Sequence, residues 1–294
     1  MKKIIFLLTV CGFCLFACNP AIDIPSYIYV DSVTFTCQNS QGSISSKITD
    51  VRLTVNGDDR GSYDIPALIP VLASGKAKIQ IQPVVFKNGL SQQRMVNYTY
   101  NLYDDYRQLK KGQVDTIRPQ FTYSDLTQFY FIENFEDAGI KFSSTGAPVV
   151  KTTDDNLLLH VANDNSINHT AGMICFEKND SNSLFELKTI SPVYLTSTSM
   201  TVCFLELNYS GTQNIEVGAY FNDPSNNKST QEVIAIVNAT TQLKNWRKLY
   251  INLTEAINKA DFNVTNFDLY IKGYSGGINQ TDTFLLDNIK LIYI

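Results

Sequence analysis

The chain has 294 residues, 24 Lys plus Arg against 28 Asp plus Glu, and 44% hydrophobic residues. That apolar share excludes disorder and a collagen-like chain, and the net charge of −4 excludes the basic footprint of a nucleic-acid binder. Six cysteines in so long a chain are too few for a disulfide scaffold, and with two histidines and one tryptophan the side chains available for catalysis are scarce.

The first element is Lys2-Lys3 followed by an apolar run from Ile4 to Ala17, broken only by Thr9 and Gly12. A bilayer span takes about 20 apolar residues, so a short basic region ahead of this shorter run predicts a secretory signal over residues 1–17. The run closes on Leu15-Phe16-Ala17-Cys18, which resembles the lipobox of bacterial lipoproteins of the Bacteroidota type. Phe16 departs from the small or branched residue usual there, and an ordinary signal peptide with a chance cysteine is the alternative. The resemblance implies that Cys18 becomes the mature N-terminus and carries a diacylglycerol and an acyl chain. It also implies a lipid anchor at the outer membrane, on the extracellular face in preference to the periplasmic one. Residues 18–25 form the tether, which reaches at most about 28 Å and is stiffened by Pro20 and Pro25. Of the remaining thiols, Cys175 and Cys203 sit in apolar runs and read as small buried hydrophobes, a disulfide between them being the alternative.

From Ser26 onward, period-two alternation predicts strands almost everywhere. Up to residue 124 these are Ser26–Cys37, Ile48–Asn56, Gly61–Ile65, Lys76–Phe86, Met95–Tyr103 and Gln113–Tyr123, punctuated by turns such as Asn56-Gly57-Asp58-Asp59. So many short strands predict an Ig-like β-sandwich over 26–124. The stretch from Val51 to Ile81, a hairpin, Gly61, a proline segment and Gly75-Lys76, resembles the PEGA-type surface domain. A boundary near residue 125 leaves 125–294 as a second domain. Its strands include one with Ile215, Val217, Ala219 and Phe221 on one face, and others built on Leu249, Ile251 and Leu253 and on Phe267, Leu269 and Ile271. A single helix is predicted over Thr254–Ala260, with Thr254 as N-cap.

Three anchors in this second half, Glu133-Asn134-Phe135-Glu136-Asp137, Asn245-Trp246-Arg247-Lys248-Leu249 and Leu285-Leu286-Asp287-Asn288-Ile289, resemble the jelly-roll, galactose-binding-like family that includes many carbohydrate-binding modules. The resemblance implies a jelly-roll β-sandwich. It also implies a structural Ca²⁺ held through Glu136 and Asp287. By strand phase Asp287 leans with Leu285, Ile289 and Leu291 toward an apolar face, where a carboxylate needs a partner or a cation; capping of backbone N–H groups at a bend is the alternative. His160 reads as a half-buried strand residue and His169 as a loop residue, not as a metal pair.

No G-x-S-x-G elbow, H-E-x-x-H, P-loop or dinucleotide fingerprint is present, so no enzyme is expected. The primary expectation is a lipid-anchored accessory or scaffold subunit of an outer-membrane complex for β-barrel assembly, secretion or nutrient uptake. It rests on the short tether and on Pro25–Val30, an aromatic segment read as an edge strand or docking strip. The alternative is a cell-surface glycan-binding module. For that role Tyr220 and Tyr270 are the candidates, since both fall opposite the apolar faces of their strands; Tyr209 and Tyr274 could extend the platform, while Trp246 reads as core packing.

Overall fold

Alternating apolar residues become strands throughout the computed structural model, which describes residues 23–164, 170–179, 183–195, 202–261, 263–277 and 279–294. The protein is all-β, with an N-terminal Ig-like sandwich followed by a C-terminal jelly-roll sandwich. Cys18 and His169 lie outside the described residues. Among the described residues no helix is long and apolar enough to cross a membrane.

In the N-terminal sandwich the longest strand, Gly75–Phe86, pairs with Asp50–Val55 on one edge and with Arg94–Val96 and Tyr103–Leu109 on the other. Asp58–Asp64 extends this sheet through a tight hairpin in which Asn56 and Gly57 both take positive φ, 53° and 89°, as a two-residue turn of this hand requires. The opposing layer holds Ala67–Val71, Ser26–Val30 and Val114–Ile117. Here the structure corrects the sequence reading. Ser26–Val30 is the central strand, antiparallel to Ala67–Val71 and parallel to Val114–Ile117, with Ile28 and Val30 fully buried. Both of its edges are occupied, which removes the docking strip that motivated a scaffold subunit.

Two expected long strands also divide. Ser26–Cys37 breaks after Val30 and resumes as Thr34–Phe35, while Gln113–Tyr123 breaks at Arg118-Pro119 and resumes as Gln120–Phe121; the two resumed pieces pair with each other. Proline has no N–H for a ladder. The same rule hid Ala67–Val71: Pro70 is tolerated because it sits on an edge.

The C-terminal sandwich consists of two six-stranded sheets. One, here the covered sheet, runs Val150–Thr152, Ala171–Phe176, Asp282–Tyr293, Cys203–Gly211, Arg247–Asn252, with Gln128–Glu133 also on Asp282–Tyr293. The other, the open sheet, runs Phe142–Gly146, Leu184–Thr189, Asn266–Tyr274, Ile215–Asp223, Lys228–Val237, with Val193–Tyr194 also on Asn266–Tyr274. Their facing sides bury Phe185, Leu205, Leu207, Val217, Leu249, Phe267, Leu269, Phe284 and Leu291 in one core. The helix is Thr254–Lys259, but Leu253 occupies the N-cap position without a side-chain bond, and the Thr254 hydroxyl instead accepts the N–H of Cys203 at 2.9 Å.

The outer side of the covered sheet packs against the N-terminal sandwich, so Phe204, Tyr250 and Ile292 belong to the N-terminal core. Between these apolar residues lies a buried polar row. Glu206 accepts hydrogen bonds from Tyr100 Oη (3.1 Å) and Tyr123 Oη (3.0 Å) and lies 3.0 Å from Lys248 Nζ. Lys290 Nζ donates to the Ser43 carbonyl at 2.8 Å and to Tyr123 Oη at 3.1 Å. Asn208 Nδ2 donates to Ser45 Oγ at 2.9 Å. Burial, and after it the neighbouring Lys248 ammonium, push Lys290 down to about 8, against the pull of Glu206. These bonds hold the two sandwiches in one fixed relation.

Candidate functional site

Among the described residues no layer covers the outer side of the open sheet, and three strands align their outward residues there. Ile215–Asp223 presents Glu216, Gly218, Tyr220 and Asn222; Asn266–Tyr274 presents Asp268, Tyr270, Lys272 and Tyr274; Leu184–Thr189 presents Glu186 and Lys188. The register sets Glu186 and Glu216 on either side of Lys272, and Gly218 beside Tyr270.

Strand phase predicts an exposed Tyr270, and the structure corrects this: the residue is fully buried. Its ring lies across Gly218, where any Cβ would collide with the Tyr270 hydroxyl and the Glu232 carbonyl. The missing side chain at Gly218 is thus the reason that the ring can lie flat along the sheet. Tyr270 Oη donates to Glu216 Oε1 at 2.7 Å and accepts from Gln231 Nε2 at 3.0 Å. Tyr220 is half-buried and packs on this floor with ring centroids 5.0 Å apart. Its hydroxyl donates to Glu186 Oε2 at 2.9 Å, and the same oxygen lies 2.8 Å from Lys272 Nζ. Farther along, Asn222 Nδ2 donates to Asn266 Oδ1 at 2.9 Å and to Asp268 Oδ2 at 3.2 Å.

Burial, then the hydrogen bond to Glu186, raise the Tyr220 phenol, and burial raises that of Tyr270. Burial alone would lower Lys272, but the hydrogen bond and charge of Glu186 outweigh it and hold the ammonium above its usual value. The face therefore carries neutral phenols, a fixed ammonium and amides, all oriented by mutual bonds. Tyr274, 52% exposed, lies at one end of it. Tyr209 takes no part: it is buried within the sandwich core.

Of the two residues implied as calcium ligands, Asp287 lies on the central strand of the covered sheet, and Glu136 is near enough for its charge to act on it. The phase argument for Asp287 is corrected, however. A bulge with Asn288 at φ 49° shifts the strand, so the core takes Phe284 and Leu286 before it and Ile289 and Leu291 after it, while Asp287 pairs with Asn208 on the outer side. Asp287 is nonetheless buried, and one carboxylate oxygen accepts the Asn288 N–H at 2.6 Å. Burial, joined by the Glu136 charge, pushes its carboxyl up to about 8. Glu136 accepts the Thr170 N–H at 2.9 Å. Two carboxylates close enough for one charge to act on the other, an all-oxygen donor set, suit a hard cation such as Ca²⁺. Among the described residues no group of three or more His, Cys, Asp and Glu converges, so main-chain oxygens would have to complete the shell.

His160 is exposed and outside any strand, with Nε2 3.1 Å from the Asp155 carbonyl, which corrects its reading as a half-buried strand residue. Cys37, Cys175 and Cys203 are free thiols. Trp246, expected in the core, is half-buried in the wall of a cleft between the sandwiches. Glu133, part of the opening anchor but given no role from the sequence, is fully buried at the opening of the jelly roll, where its two carboxylate oxygens accept the N–H groups of Phe135 (2.7 Å) and Lys141 (2.6 Å). A glutamate ending an aromatic strand just before Asn134 was the available signal.

No protein-family model matches the sequence, and no curated protein matches it. Among solved structures, the chain is similar to a point mutant of the family 29 carbohydrate-binding module CBM29-2 complexed with mannohexaose, at 9% identity and a TM-score of 0.33 over 57% of this chain and 91% of that one. It is also similar to the xylan-binding domain from CBM 22 (13% identity, TM-score 0.37, 58% of this chain and 97% of that one). A third is TmCBM61 in complex with β-1,4-galactotriose (15% identity, TM-score 0.33, 51% and 86%). These neighbours are carbohydrate-binding modules; what this chain does has to be read from its own surfaces.

Proposed function

We propose that the chain binds glycans without chemically altering them, through the outer face of the open sheet. The observation that carries this reading is the Tyr220–Tyr270 pair set among Glu186, Lys272, Glu216 and Asn222. A sugar ring offers an apolar C–H face to an aromatic ring and hydroxyls to carboxylates and amides, and here both kinds of group lie side by side on rigid strands. Because these polar groups are already oriented by one another, little ordering cost remains for a ligand. Such a face has no nucleophile–base pair and the sequence has no catalytic motif, so binding is the chemistry that it supports.

Two further elements belong to the proposal. A lipid on Cys18 would hold the module at the outer membrane, facing outward, within the reach of the short tether. A structural Ca²⁺ on Glu136 and Asp287 would neutralise their mutual repulsion and pin the loop after the first strand of the jelly roll to the last strand.

The test is a glycan array probed with the chain from residue 19 onward and with its Tyr220→Ala variant. Binding to neutral oligosaccharides by the parent and its loss in the variant are expected; an empty array for the parent contradicts the proposal.

A further inference from the structure

A cleft lies where the two sandwiches meet. Its volume of about 580 Å³ falls in the range of small-ligand sites. Lys47, Phe86 and Gly89 line it from the N-terminal side, and Trp246, Arg247 and Lys248 from the C-terminal side, with no acidic side chain in the lining.

Two of the three cations here have no carboxylate partner among the described residues. Lys47 is exposed and donates only its main-chain N–H, to Tyr250 Oη at 2.9 Å; its ammonium has no ion pair among the described residues. The Arg247 guanidinium bridges the two sandwiches, donating to the carbonyls of Asn238 (3.0 Å) and Gly89 (3.3 Å). Both acceptors are neutral, so the charge stays unopposed. The third cation of the lining, Lys248, has a side chain only 3% exposed and is paired with Glu206 at 3.0 Å, so it is not available to a ligand. Trp246 donates Nε1 to the Leu157 carbonyl at 3.1 Å, which fixes the indole in the wall.

A chain with a net charge of −4 that sets two cations without carboxylate partners on one cleft raises the local concentration of anions there. The indole beside them adds a surface for an apolar ring face. We propose that this cleft binds an acidic saccharide, its carboxylate or sulfate held by Lys47 and Arg247 and its ring against Trp246. The anion follows from the cleft's own charge; the saccharide as its carrier rests on the glycan-binding reading above.

Trp246 is the single tryptophan of the chain, so its fluorescence reports on the cleft alone. The chain from residue 19 onward is titrated with trigalacturonate, with a sulfated galactose oligomer and with neutral galactotriose. A saturable fluorescence change is expected with an acidic probe and not with the neutral one, and which acidic probe responds identifies carboxylate or sulfate. The change should weaken as salt rises and require about tenfold more probe in Lys47→Gln. It should persist in Tyr220→Ala, whose site is on the far side of the sandwich, so failure on the open face and failure in the cleft are separately visible. Lys47 is on the surface and Lys47→Gln keeps the main-chain bond, so folding is preserved. No change with either acidic probe, an equal change with galactotriose, or an undiminished change in both Lys47→Gln and Arg247→Gln overturns the proposal.

Discussion

Lys290 lies between the two sandwiches with its ammonium on the Ser43 carbonyl and Tyr123 Oη, and burial brings it down to about 8 from 10.5. The unfolded chain holds that proton to a pH of about 10.4, so between the two values the unfolded state binds more protons and stability rises with pH. The whole interval corresponds to about 3 kcal/mol, of which about 1 kcal/mol develops from pH 7 to 9. Cys37, Cys203, Tyr100, Tyr123 and Tyr250, all raised by burial, act in the opposite direction as pH climbs past their unfolded values. They are common to the parent and to Lys290→Met, so the difference between the two isolates the lysine to first order. Urea unfolding at pH 7, 8 and 9 should show the parent gaining about 1 kcal/mol on Lys290→Met across the series. A difference that stays constant or shrinks would refute a buried, depressed lysine at this interface.

Glu206→Leu removes the acceptor of two tyrosine hydroxyls and leaves Lys248 buried without its counter-charge; urea unfolding should show a loss of about 3–5 kcal/mol, and a loss below about 1 kcal/mol would contradict the network. Gly218→Ala forces Tyr270 off its bed against Glu232, and should cost about 1–3 kcal/mol while weakening glycan binding, measured by unfolding and by titration of the same preparation. Excess Ca²⁺ should raise the melting temperature, by the equivalent of about 3 kcal/mol at a hundredfold excess over Kd; a chelator should reverse this and Asp287→Asn should abolish it. Identical melting with Ca²⁺ and with chelator would remove the cation from the account.

Strands whose inner residues alternate with solvated ones were legible in the sequence: Asp50–Val55, Gly75–Phe86, Ile215–Asp223 and Asn266–Tyr274 all follow from period two. What escaped has a physical cause in each instance. Ala67–Val71 carries a proline that only an edge position admits, and edges are not marked in sequence. The bulge at Asp287 and Asn288 inverts the phase in mid-strand, so an extrapolated face was wrong from that point. Tyr270 is on the outward side as its phase demands, yet it is buried because the glycine beside it lets the ring lie down and Tyr220 packs on it. Glu206, Lys248 and Lys290 sit where alternation implies water, but a second sandwich covers them. Lys290 alone gave a hint, as a single cation in the otherwise apolar run from Ile289 to Ile294.

The measurement that bears most directly on the central claim is calorimetric titration with a neutral oligosaccharide retained on the array, comparing the parent with Tyr220→Ala. Tyr220 is half-exposed, so its removal should leave unfolding stability within about 1 kcal/mol while Kd rises at least about tenfold. Unchanged affinity in a folded Tyr220→Ala protein would show that the open sheet is not where glycan binds.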